Sequence, residues 1–236
     1  MTALVLQARL DSTRLEGKCL LPLGGRPLIF RVMEALAGVH CDTKVLACPE
    51  DCVEPFGPLA EEAGFELIPG SKDDVLARYC LVIRRLNADR VIRATGDNPF
   101  VFSDAAQTLN EEAAALGADY SGYYGLPYGA GVESVNAGAL LRAEREAQTT
   151  YERENVCPYL YGHPELFRLH RPYAPRCWQG SEMRVTVDTE EDYRRACTLF
   201  NALAGLTPSE RSRGAAVIAA YKGWYGSVPQ NRSPLL

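Results

Sequence analysis

Short apolar runs bounded by turn residues alternate along this chain with stretches whose apolar side chains recur at helical spacing. Residues 3–6, 44–47, 65–68 and 90–94 have the length and composition of buried strands, and residues 20–23 read as a shorter extended piece closed by Gly24 and Gly25. Between them, Pro27 starts a helix with Leu28, Ile29, Val32, Met33 and Leu36 on one side. Residues 56–63 form a short helix with Leu59 and Ala60 inward, and a helix from Asp73 carries Val75, Leu76, Tyr79, Ile83 and Leu86. Strand and helix in turn predict an α/β fold with a parallel sheet covered on both faces. Further on, the pattern predicts helices over 103–116, 137–147, 152–162 and 215–221, and one starting in the acidic run from Asp188 to Asp192. Strands are expected at 133–135, 166–170 and 183–187, and the Pro, Asn and Ser past Ser227 read as a loose tail. Between 120 and 131, Tyr120, Tyr123, Tyr124 and Tyr128 alternate with Gly122, Gly125, Gly129 and Gly131; such a loop either covers a pocket or packs half-buried on the surface.

The polar insertions matter most where they follow strands, because ligands of open α/β sheets sit outside the strand ends. The first, from Gln7 to Lys18, places Arg9, Arg14 and Lys18 in one loop. Loops with such charge are commonly only solvated. Ser12, Thr13 and Gly17 add hydroxyls and a residue that lets backbone N–H groups approach a phosphate, so an anionic, phosphorylated ligand is expected. Ser12 and Cys19 stand where a P-loop requires Gly and Ser or Thr, which excludes that class. Asp73 and Asp74 precede a helix and serve either as caps or as ligands. Asp97 and Asp188 each follow a strand and precede a helix; as a pair facing a cationic loop they suit Mg²⁺, a hard cation kept by one or two carboxylates and otherwise by phosphate and water.

Composition narrows the picture. The 236 residues suit one large α/β domain, and the formal net charge of -5 argues against a nucleic-acid binder. Eight cysteines without a C-x-x-C pair and three histidines make a structural zinc site improbable. Neither a signal peptide nor an apolar run of roughly twenty residues is present, so a cytoplasmic protein with reduced thiols and no membrane partner is expected.

Four motifs then stand in order: Gln7-Ala-Arg-x-x-Ser-Thr-Arg-Leu-x-Gly-Lys18, Gly70-Ser-x-Asp-Asp-Val-Leu-x-Arg-Tyr79, Arg93-x-Thr-Gly-Asp-x-Pro99 and Val187-Asp-Thr-x-x-Asp192. Together they resemble the spore-coat polysaccharide family of cytidylyltransferases and, more distantly, the synthetases that join CMP to acidic sugars such as 3-deoxy-manno-octulosonate. The resemblance runs from Leu4 to about Leu203. It implies a Rossmann-like, three-layer nucleotidyltransferase fold whose residues 1–120 bind nucleotide, 121–205 hold the acceptor and the dimer contact, and 206–236 form a terminal helix and tail. It implies that Arg9, Arg14 and Lys18 are the catalytic cations on the triphosphate of CTP, and that Asp97 and Asp188 hold Mg²⁺. Gln7, Ala8, Arg9, Ser12, Ser71, Asp74, Arg78, Thr95 and Gly96 are the implied nucleotide-binding residues, with main-chain carbonyls turned to the cytosine amino group.

Three positions depart from the family's pattern. Glu16 replaces a proline, Gly131 an aspartate and Asn155 a histidine. The last two lie in the acceptor half, where Glu133, Glu152, Arg153, Asn155, Tyr159, Arg168 and Arg184 are candidate acceptor ligands and an altered acceptor is expected. Residues 166–181 correspond to where sugar-acid relatives dimerise, which implies a homodimer. The function implied is Mg²⁺-dependent transfer of CMP from CTP to a sugar, sugar acid or small phosphorylated acceptor, with release of pyrophosphate, for surface polysaccharide or glycoconjugate synthesis. A glycosyltransferase using a finished sugar nucleotide is the competing reading, lowered because Asp97-Asn-Pro lacks Asp-x-Asp; a non-catalytic nucleotide-binding homologue is the third.

Overall fold

The computed structural model describes residues 1–227; the tail expected beyond Ser227 lies outside them. The chain begins with β1 (Thr2–Gln7), a long loop ending in a 3-10 turn at Lys18–Leu20, and a small ribbon of β2 (Pro22–Leu23) and β3 (Arg26–Pro27). It continues through α1 (Leu28–Leu36), β4 (Thr43–Pro49), α2 (Val53–Ala63), β5 (Glu66–Gly70), α3 (Val75–Leu86), β6 (Arg90–Thr95) and α4 (Ser103–Ala115). The second part contains β7 (Tyr120–Ser121), β8 (Glu133–Asn136), α5 (Ala137–Glu146), α6 (Thr150–Asn155), α7 (Pro158–Gly162) and β9 (Leu169–His170). It closes with α8 (Glu190–Ala202), α9 (Pro208–Arg211) and α10 (Gly214–Ser227).

Seven strands form one sheet in the order β5-β4-β1-β6-β8-β7-β9. The pairs β5–β4, β4–β1 and β1–β6 are parallel, and β8 alone runs against its neighbours β6 and β7. β1 is buried on both faces, as a central parallel strand must be. Its alternation divides the core: Leu4 and Leu6 join one apolar cluster with α1, α2 and α4, while Ala3 and Val5 join the other with α3 and α5. Among the described residues no helix is long and apolar enough to cross a membrane.

Four sequence expectations change. Residues 183–187 make no strand, because their backbone groups go to two different loops: Val185 N donates to Tyr128 O at 2.9 Å and Val187 N to Asp97 O at 2.8 Å. The helix expected over 152–162 is two helices, broken at Val156 with φ 75°, where the following Cys157–Pro158 step restarts the turn with proline at its first position. Only Leu169–His170 of the strand expected at 166–170 pairs, and residues 20–23 begin as the end of a 3-10 turn. The short α9 escaped the pattern altogether; its capping box of Thr207 and Glu210 was the available signal.

Candidate active site

β1 and β6 lie side by side and parallel, with Gln7 opposite Thr95, so the loops leaving them open at the same sheet edge. Gly96 makes the junction tight: Gly96 N donates to Gln7 O at 2.8 Å, and a Cβ there would stand 2.8 Å from Ala8 Cβ and 2.9 Å from Ile29 Cδ1. The long loop after β1 then arches over this edge and returns through Gly17, whose φ of 62° turns the chain into the 3-10 turn that delivers Lys18. A cleft of about 500 Å³ results, lined by Gln7, Ala8, Arg9, Ser12, Arg78 and Thr95 among others.

Lys18 is buried at the cleft floor, and three oxygens hold its ammonium: Asp97 Oδ2 at 2.9 Å, Val187 O at 2.9 Å and Asp188 Oδ1 at 3.0 Å. Burial alone would lower its pKa, but the two carboxylates outweigh it and raise the value, so Lys18 is charged. Asp188 is similarly balanced. Burial pushes its carboxyl up, while Lys18, Arg14 and Arg184 bring it below the ordinary carboxylate value. Arg14 Nη2 donates to Asp188 Oδ1 at 2.9 Å and Arg184 Nη2 to Asp188 Oδ2 at 2.7 Å. Arg184 is itself fixed by Asp192, which accepts from its Nε at 2.9 Å and from the backbone N–H of Asp188 at 3.1 Å. Arg14 and Lys18 of the expected cationic loop therefore converge with the expected metal pair on one point, whereas Arg9 is exposed and faces Asp11 at 3.7 Å while lining the cleft.

A cation standing between two carboxylates is the arrangement that a hard divalent ion would take over. Asp97 and Asp188 are a pair only, since no group of three or more His, Cys, Asp or Glu is gathered among the described residues. Two carboxylates fit an ion that completes its shell with phosphate oxygens and water.

A second cavity of about 250 Å³ adjoins the cleft and shares Arg93, Thr95, Asn98 and Gly131 with it. Its floor is the half-buried pair of Arg93 and Glu133, which face each other across β6 and β8, and Tyr120 Oη donates to Glu133 Oε1 at 2.7 Å. At its mouth Arg171 lies over the rings of Tyr124 and Tyr161, 4.5 and 5.3 Å from their centroids.

Of the other expected site residues, Asn155 lines the cleft and Glu133 the smaller cavity. Ser71 and Asp74 do not: Asp74 caps α3 by accepting from Ala77 N at 2.9 Å, binds Arg153 Nε at 2.6 Å, and Ser71 Oγ accepts from Asp74 N. Glu152 closes the capping box of α6, Tyr159 donates to Glu146 at 2.7 Å, and Arg168 Nη1 donates to Leu116 O at 2.8 Å. These groups are taken up in structure away from both cavities, and Arg184 serves Asp188 rather than the acceptor side. Glu16 is exposed and outside the cleft lining. Sequence reasoning made none of Arg93, Tyr120, Arg171 and Asp192 a site residue: it had Tyr120 in the glycine- and tyrosine-rich loop and Arg171 in the segment implied to dimerise. Arg93 and Asp192 were visible inside the motifs, whereas the other two are joined to the site only by folding.

The cytidylyltransferase family matches residues 3–212. Over 206 residues, covering 83% of this chain and 85% of the relative, the chain is 34% identical to the spore coat polysaccharide biosynthesis protein SpsF of Bacillus subtilis. A cytidylyltransferase structure from Leptospira borgpetersenii superposes with a TM-score of 0.85 over 100% of this chain and 99% of that one, at 23% identity. A CMP:2-keto-3-deoxy-manno-octonic acid synthetase complexed with CTP gives 0.66 at 17% identity, covering 85% of this chain and 98% of that one. The fold of β1 to α10 is thus that of the nucleotidyltransferases, and by sequence the chain belongs to the cytidylyltransferase family of enzymes.

Proposed function

We propose that this enzyme transfers CMP from CTP to a small acceptor, a sugar, sugar acid or phosphorylated polyol, releasing pyrophosphate, in the synthesis of a surface polysaccharide or glycoconjugate. The observation that carries this reading is the Lys18 ammonium held between Asp97 and Asp188 beneath a cationic loop. The name of the SpsF relative supports the polysaccharide setting.

An acceptor oxygen must attack the α-phosphorus of an anionic triphosphate while pyrophosphate leaves opposite, so positioning and charge neutralisation carry the rate. Arg9, Arg14 and Lys18 bind the phosphates, and Gly96 keeps the floor low enough for close approach. Asp97 and Asp188 would hold Mg²⁺, which supplies neutralisation of phosphate oxygens when bound. Arg93, Tyr120 and Glu133 shape the acceptor cavity, with Arg171 at its mouth and Asn155 on the cleft side. The enzyme works in the cytoplasm as a homodimer through residues 166–181.

The test is a pyrophosphate-release screen over CTP, UTP, ATP and GTP against a panel of sugars, 2-keto sugar acids and sugar phosphates with Mg²⁺. Release with CTP that depends on both acceptor and Mg²⁺ is expected. No release with any pair, from folded protein, refutes catalysis.

A further inference from the structure

The two oxygens of Asp188 serve different partners. Both cations of the long loop use Oδ1: Lys18 Nζ donates to it at 3.0 Å and Arg14 Nη2 at 2.9 Å. Oδ2 accepts instead from Arg184 Nη2 at 2.7 Å. The two sides are held with unequal firmness. Arg14 is 63% exposed and makes this one ion pair among the described residues. Arg184 is clamped from behind, its Nε and Nη2 donating to the two oxygens of Asp192 at 2.9 and 3.1 Å, and its guanidinium lies 4.8 Å from the centroid of the Tyr128 ring. Asp192 is in turn buried and also accepts from Arg195 Nη1 at 3.0 Å and from the backbone N–H groups of Asp188 and Thr189 at 3.1 and 3.2 Å. A triphosphate competing for Lys18 and Arg14 would bare Oδ1 and leave Oδ2 engaged.

How many oxygens a carboxylate offers decides which hard cation it suits. Ca²⁺ takes about six to eight oxygens in flexible geometry and readily accepts both oxygens of one carboxylate, whereas Mg²⁺ demands a near-octahedral shell that a two-oxygen bite distorts. Mn²⁺ shares the octahedral preference. We propose that Arg184 is a positioning residue that selects the metal: by keeping Oδ2 of Asp188 it confines that carboxylate to one-oxygen ligation, which favours a small octahedral ion, Mg²⁺ or Mn²⁺, over Ca²⁺. Asp192 and the Tyr128 ring hold the guanidinium in place for this task. The assignment rests on the metal-dependent reading above and gives that reading a cause for the choice of ion.

Electron paramagnetic resonance of Mn²⁺ on the intact protein, with CTP present, no acceptor, and Ca²⁺ as competitor, reads the preference without turnover. CTP contributes equally in every variant, so differences between variants belong to the protein. The wild type should hold Mn²⁺ against an excess of Ca²⁺. Arg184→Met should lower the Mn²⁺-over-Ca²⁺ ratio about tenfold, the lower end of what loss of a metal ligand's own hydrogen-bond partner does, chiefly through tighter binding of Ca²⁺. Arg184→Lys, which keeps the charge and a donor for one oxygen, should recover part of the ratio. Asp192→Asn, which loosens the clamp and leaves the Arg184 side chain in place, should shift the ratio the same way, and it carries the test if Arg184→Met does not fold. Equal gains for both ions in Arg184→Met mean that Arg184 acts by charge alone, and equal losses that it only supports the fold; either overturns the assignment. So does a ratio unchanged in both Arg184→Met and Asp192→Asn, or a wild type that binds Ca²⁺ as tightly as Mn²⁺. No protein-bound Mn²⁺ in the wild type with CTP overturns the metal-dependent reading itself.

Discussion

At the scale of single residues, the site is a matter of charge balance around Lys18 and Asp188. Lys18→Ala or Asp97→Asn should lower pyrophosphate release by about two orders of magnitude at saturating CTP and Mg²⁺, the scale of losing one preorganised electrostatic contact. Asp192 offers a different test. Burial would push its carboxyl up, but the Arg184 hydrogen bonds and the backbone N–H of Asp188 hold it down to about 2. A depressed native pKa stabilises the fold above the ordinary carboxylate value of 3.8 and ceases to do so as pH falls through about 2. Denaturant unfolding should therefore show a stability loss of about 2 kcal/mol between pH 4 and 2 that is absent in Asp192→Asn. The sequence displayed Asp192 within its motif, but its value as the anchor of Arg184 depends on residues 183–187 lying as a loop, which an apolar alternating run does not announce.

At the scale of elements, Gly96 and Asp74 mark what local pattern could and could not tell. Gly96→Ala forces a Cβ to 2.8 Å from Ala8 and 3.0 Å from Gln7 O, so the ends of β1 and β6 must separate. The expected outcome is a loss of about 1–3 kcal/mol in denaturant unfolding, with a raised KM for CTP. Asp74→Ala should cost about 1–2 kcal/mol through its cap on α3 and leave KM for CTP within about twofold. The parallel strands β1, β4, β5 and β6 were legible because buried apolar runs between amphipathic helices have few other solutions. β7 and β9, of two residues each, carry no such pattern and exist only because β8 and its neighbours offer edges. The break at Val156 was equally hidden, since a buried β-branched residue at φ 75° runs against every local preference.

At the scale of the whole molecule, a protein of net charge -5 brings Arg9, Arg14 and Lys18 together at one sheet edge. The four motifs lie far apart in the chain, and their order could be read in sequence; their meeting point needed the sheet, which sets Gln7 beside Thr95 and, through Val187 and Asp97, the start of α8 beside the end of β6. Sedimentation equilibrium at micromolar concentration should report a dimer, and a monomer only would remove residues 166–181 from that role. The bridge formed by Lys18 also has a thermodynamic outcome. On the proposed function it would make the cleft an ion exchanger: a triphosphate competing for Lys18 and Arg14 would leave Asp97 and Asp188 free to hold a divalent ion. Each ligand would then prepare the other's place, and linkage demands that such a gain be reciprocal. Mn²⁺ titrated by electron paramagnetic resonance should bind the bare protein weakly and bind at least tenfold tighter once CTP is present, and CTP should gain by the same factor when Mn²⁺ is added first.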